Sequence, residues 1–228
     1  MLVLYTDRSS AMPLNPKHEI YIVGVNVDRY VVYRGSKSKD ANSEPAVVKI
    51  CQGVYMQNGL DAESVFNRYG LRIAHYLTPS ATISFSTAWH KAPKIGRVFV
   101  TGQYQYVRPL FGASDRYNIV QSVGKVEPDN PKLHTMETFR DPLGEFTMLC
   151  DTPELTLLNM MTATKRHSEK HLNSEEMDEL LGHLMKEHGG KAGVASALEE
   201  VAVMAERTNE LRRLIGLLYS PGKSFVSS

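Results

Sequence analysis

The residue pattern changes period near Cys150, and that change limits the folds open to this chain. Before it, short stretches alternate apolar and polar positions or cluster β-branched and aromatic residues. They lie at residues 19–27, 30–33, 46–56, 81–85, 97–101, 104–107, 117–122 and 145–150. Such stretches read as strands. After Cys150 apolar residues recur every three or four positions, as in Met177, Leu180, Leu181, Leu184 and Met185, or Leu198, Val201, Leu211, Ile215 and Leu218. That spacing places them on one side of a helix.

Local signals set the boundaries. Thr152-Pro153-Glu154 joins a hydroxyl at the cap, proline at the first helical position and an acid in the first turn. Asn173 with Glu176 has the spacing of a capping box, and Gly189-Gly190 ends that helix. A third helix is expected from about 192 to 219, before Pro221, with a loose tail over 221–228. Before Cys150 a single helix is expected, from an Asp61 cap through Leu77, with Val65, Phe66, Tyr69 and Ile73 on its apolar side and Pro79 forbidding continuation. A hairpin is expected to turn near Asp28, residues 35–44 form a polar loop, and Gly53 marks a bulge or a close approach. The fold class is α+β. An antiparallel β-rich body with one helix occupies residues 1–150, its first 46 residues reading as β, and about three helices occupy 151–228.

Composition adds exclusions. Of the 228 residues, 42% are hydrophobic and 22% charged, which is ordinary for a globular chain and excludes wholesale disorder. The two cysteines, Cys51 and Cys150, lie outside any CxxC pattern, which favours a reducing compartment over a disulfide scaffold. The opening MLVLYTDRSS lacks the basic and apolar regions of a signal peptide, and no window suits a membrane span. A cytoplasmic protein without membrane insertion is expected.

Charge is unevenly spread. Net charge is 0 over residues 1–63, +4 over 64–150 and −3 over 151–228, which suggests two functional faces. Residues 64–114 contain no Asp or Glu yet carry Arg68, Arg72, Lys91, Lys94, Arg97 and Arg108. Aromatic residues interleave with these cations at Trp89-His90-Lys91 and Tyr104-Gln105-Tyr106-Val107-Arg108. Surfaces of this composition meet phosphate or an acidic protein face. The candidate contact residues are Arg72, Trp89, Lys91, Lys94, Arg97, Tyr104, Arg108 and Arg116.

No catalytic motif emerges. His167 and His171 stand four apart, with His183 and His188 nearby, but the order is not HExxH and the stretch falls between helices, so no metal is expected there. Neither a GxSxG elbow nor a Gly-rich phosphate loop is present. Asp115, Glu127 and Asp129 are the carboxylates a metal-dependent nuclease or nucleotidyltransferase would draw on, though nothing in their spacing demands it. No cofactor and no enzymatic activity are expected.

Two runs carry a family resemblance. R-I-A-x-x-L-x-P-x-A-x-I-S at 72–84, followed by P-x-x-G-R-V-F-V-T-G at 93–102, resembles the AbiEi-type antitoxin domain found in front of some Fic and HipA-like toxin proteins. D-T-P-E-L-T-L-L at 151–158 is similar to a later helix of that domain, and 198–218 to the helices that link it to a toxin. Residues 1–46 diverge from the family's usual winged helix-turn-helix, and no Fic or HipA signature follows. The resemblance implies a non-enzymatic regulatory or inhibitory protein that binds another protein, either a toxin or a component of a macromolecular machine. It is antitoxin-like, or an interference factor of a mobile element such as a plasmid inhibitor of conjugation. The alternative is a DNA-binding transcriptional regulator that uses a basic face in residues 64–116, with nucleic acid as the partner.

Overall fold

The structure is a computed structural model that describes residues 14–37, 46–112, 115–162 and 168–219. The opening residues, positions 38–44 of the polar loop, Lys165-Arg166-His167 and the tail from 221 lie outside the described residues. In chain order the elements are β1 (Ile20–Ile22), α1 (Arg29–Lys37), β2 (Val47–Cys51), β3 (Val54–Gln57), α2 (Ala62–Leu77), β4 (Thr82–Ile83), α3 (Phe85–His90), β5 (Arg97–Gly102), β6 (Tyr106–Pro109), β7 (Asn118–Val123), β8 (His134–Asp141) and β9 (Gly144–Asp151). Then follow α4 (Pro153–Met160), a 3₁₀ turn at Ser168–Lys170, α5 (Ser174–Glu187), α6 (Lys191–Met204) and α7 (Thr208–Leu218).

The class is α+β. Strands β1, β3 and β2 form a small antiparallel sheet, and a six-stranded sheet runs β6-β7-β5-β4-β9-β8. The larger sheet is mixed and not wholly antiparallel, because β5 runs parallel to β7 and β4 parallel to β9. One face of it packs on α2 and the small sheet through Ile20, Val54, Phe66, Ile73, Val98, Val100 and Ile119. On the other face Phe99, Val120 and Leu133 join the apolar sides of α4 to α7 in one cluster. The core therefore continues across Cys150, where the sequence pattern changes.

The capping signals operate as their chemistry requires. The Asp61 carboxylate accepts the Ser64 N–H at 2.8 Å and opens α2. Thr152 Oγ1 accepts the Leu155 N–H at 3.4 Å, and Asn173 and Glu176 complete a capping box. Gly70 lies where a Cβ would come within 2.9 Å of Pro93 Cγ, so glycine lets α2 settle onto the sheet. Gly53 (φ +78°) turns the β2–β3 hairpin inside the single strand expected over 46–56, and a Cβ there would meet Tyr76 Oη at 2.3 Å.

Among its described residues the body holds three helices where one was expected. Residues 30–33 lie in α1 and do not form the second strand of a hairpin. The Asp28 carboxylate accepts the Tyr30 N–H, and only Val32 and Gly35 are buried, three residues apart. Valine and tyrosine lower helix propensity only slightly, and one-sided packing outweighs that. Only Thr82 and Ile83 of the stretch 81–85 pair as a strand. Phe85 then opens α3, whose Phe85, Ser86, Thr87 and Ala88 are all buried, so no polar face betrays it in the sequence. Strand β8 was not expected. It is an edge strand with many exposed side chains, and it pairs with β9 through a hairpin at Pro142-Leu143 closed by Gly144 (φ +111°). The last expected helix is two, because Glu206 takes φ +58° and breaks it between α6 and α7.

Candidate functional site

The cation-rich run does not make a uniformly basic face. Its sequence omits carboxylates, but the fold brings them in from elsewhere. Arg68 pairs with Glu19, Lys91 with Glu137 (2.7 Å), Lys94 with Glu176, Arg97 with Glu169 (2.6 Å), and Arg116 with Glu63 (2.5 Å). His90 Nε2 also stands 3.0 Å from Glu176. Glu169 and Glu176 belong to the acidic last third, so the opposite charges of the two regions meet each other inside the molecule. Burial works to raise the Glu176 carboxyl, but the hydrogen bonds from Lys94 Nζ and the Asn173 N–H outweigh it and hold the group below its usual range.

Arg72 is a structural residue, which corrects its place among the contact candidates. Its Nε and Nη2 donate to the two Asp141 oxygens at 2.5 and 2.9 Å, and Nη2 donates again to the Gly144 carbonyl at 2.6 Å. The guanidinium lies 4.4 Å from the Phe146 ring centroid, and the residue is buried. It ties α2 to the β8–β9 hairpin and presents nothing to a partner. Trp89 is half-buried on the helical core cluster, edge-on to His183 at 5.8 Å.

Tyr104 and Arg108 are different: neither is engaged by a carboxylate among the described residues, and the two lie together at one strand. Tyr104 is 61% exposed just before β6, and Arg108 lies within it. The Arg108 guanidinium sits 5.0 Å from the Tyr106 ring, which meets Tyr104 edge-on at 6.3 Å. Gln121 donates to the Tyr104 carbonyl at 2.9 Å and so fixes the approach to the strand. β6 is the terminal strand of its sheet. It pairs with β7 on one side and with no strand on the other among the described residues. Val107 is exposed on the opposite face from Tyr106 and Arg108.

A second arrangement was not legible beforehand. His134, at the start of β8, and Asp151, at the end of β9, pair in register, and both are buried. His134 Nδ1 stands 3.2 Å from Asp151 Oδ1, off the line of a good hydrogen bond. Asn159 Nδ2 donates to Asp151 Oδ2 at 2.9 Å, and Thr82 Oγ1 is 3.4 Å from Oδ1. Burial pushes the Asp151 carboxyl up, against the opposing contacts from His134, Asn159 and Thr82. In the sequence Asp151 stands out only as the residue before a helix cap. His134 stands at the opposite end of the β8–β9 hairpin's sequence, and only the hairpin register joins the two.

Among the described residues, Glu154, Glu187 and His188 have ligand atoms within 4.8 Å of one another. His188 Nε2 is 2.7 Å from Glu154. This contact ties the start of α4 to the end of α5, and neither His171 nor His183 belongs to it. Glu127 is held by Lys125 (2.5 Å) and Asn130 (3.0 Å), a local turn network. No family model matches the chain, and no curated protein matches it.

Proposed function

We propose that this chain is a non-enzymatic regulatory protein that acts in the cytoplasm by binding another protein, in the antitoxin-like manner implied by the runs at 72–84 and 93–102. The observation that carries this reading is the β6 edge. It gathers Tyr106, Val107 and Arg108 on a terminal strand, with Tyr104 just before it, and the outer side of that strand pairs with no other strand among the described residues. An extended segment of a partner can reach the outward Val107 N–H and C=O on this short edge, where Pro109 has no N–H and the Phe111 N–H is taken by the Ile50 carbonyl, so rings and an arginine would supply most of the contact. The same geometry weighs against nucleic acid as the partner. Phosphate affinity grows with the number of cations free to displace counterions, and here most cations of the run already face carboxylates. No helix among the described residues is long and apolar enough to cross a membrane.

Affinity capture from the native host tests the reading. The parent chain should retain one dominant protein, and a Tyr104→Ala/Arg108→Ala variant with unchanged melting temperature should lose it. Retention of duplex DNA instead, with affinity falling steeply as salt rises, would replace this reading with the DNA-binding one.

A further inference from the structure

The start of α4 and the end of α5 bring three side chains of metal-ligand type to one place. Glu154, in the first turn of α4, and Glu187 and His188, at the end of α5, hold ligand atoms within 4.8 Å of one another. His188 Nε2 stands 2.7 Å from Glu154 Oε1. One imidazole and one carboxylate would be enough to pin the two helices together. Glu187 adds a second carboxylate at the same spot, and neither glutamate pairs with a lysine or arginine among the described residues. Two carboxylates held this close repel each other unless a cation lies between them. Residue spacing hid the group, because Glu154 lies 34 residues before His188.

Helix polarity sharpens the imbalance. Glu187 is the last residue of α5, at the negative end of that helix, where a carboxylate is disfavoured and a cation is favoured. His183, one turn earlier, stands outside the group of three, but its Nε2 is 3.4 Å from Glu187 Oε2. Such a neighbour orients a ligating carboxylate. The Glu154 and His188 side chains are 14% and 25% exposed, and only Glu187 is open, at 54%. That open side leaves Glu187 room to swing in and lets water complete a coordination shell. The donor set selects the ion. Calcium and magnesium prefer oxygen ligands alone, whereas one imidazole nitrogen with two carboxylate oxygens suits zinc, which takes four ligands at about 2.0–2.2 Å. Ligand atoms around zinc then lie roughly 3.3 Å apart. That separation falls between the 2.7 Å of the His188–Glu154 contact and the 4.8 Å that spans the group, so side-chain rotation reaches it without moving either helix.

We propose that Glu154, Glu187 and His188 bind a zinc ion that clamps the start of α4 to the end of α5, with water in the fourth position. The site does not depend on the protein-binding reading. Zinc chloride titrated into the full chain by calorimetry and thermal shift, with magnesium chloride as the control, tests it. Zinc should bind saturably, and at a hundredfold excess over its dissociation constant it should raise the melting temperature by about 5–10 °C. Glu187→Ala removes the exposed ligand. It should weaken zinc by about tenfold or more while leaving the melting temperature of the metal-free chain nearly unchanged. Glu154→Gln/His188→Gln should abolish binding, and where that variant is unstable Glu187→Ala decides. The proposal is overturned if zinc binds no more tightly than magnesium, or if Glu187→Ala binds zinc as tightly as the parent.

Discussion

Replacing Arg72 by methionine strands a carboxylate inside the protein. Asp141 would lose both guanidinium bonds and keep only the Leu143 N–H at 2.8 Å, while Gly144 would lose a donor at 2.6 Å. The two side chains are 9% and 4% exposed, so water screens the pair little. Removing one partner of such a pair costs about 3–5 kcal/mol, mostly from the charge left behind. For a chain of this size each kcal/mol moves the melting temperature by about 2–4 °C, so a fall of about 6–20 °C is expected. Adding Asp141→Asn removes the stranded charge and keeps an acceptor for Leu143. The double variant should then regain about 1–3 kcal/mol over Arg72→Met alone. Urea unfolding followed by circular dichroism gives both values from midpoint and slope. Arg72→Met within about 0.5 kcal/mol of the parent would refute the reasoning, as a surface contact residue behaves that way. A double variant less stable than the single one would refute it too.

Three further outcomes are expected. Gly96→Ala forces a side chain into φ +71° and sets its Cβ 2.2 Å from the Arg116 carbonyl oxygen, so it should lose about 2 kcal/mol or more in the same urea assay. Trp89→Ala should cost about 3 kcal/mol, the low end for a large ring, because the ring is only half-buried on the core; a thermal shift near zero would instead make it a surface residue. Burial pushes the Cys51 thiol up to about 11 and the Cys150 thiol up to about 12, from an ordinary 9.0, so a disulfide reagent at about pH 8 should label both only after unfolding. Because the folded thiols hold their protons more tightly, their stabilising contribution is full below pH 9.0 and is lost as pH rises toward 12, and a Cys51→Ala/Cys150→Ala variant should show less of that decline.

What the sequence determined by itself was local. Caps at Asp61, Thr152 and Asn173, the stops at Pro79 and Gly189-Gly190, and the apolar sides of α2, α5 and α6 all follow from residues within a turn or two of each other. Their physics is short-ranged, so spacing alone reveals it. The fully buried start of α3 escaped because a helix without a polar face has no period to read, and β8 escaped because an edge strand is half solvent. The tertiary structure alone decided the rest. A run without carboxylates looked basic only along the chain; folding brought Glu137, Glu169 and Glu176 onto its lysines and arginines from more than 40 residues away. Strand pairing, too, set His134 against Asp151 across one hairpin and left Arg108 on an open edge. Electrostatic character belongs to neighbours in space, and sequence distance says nothing about those.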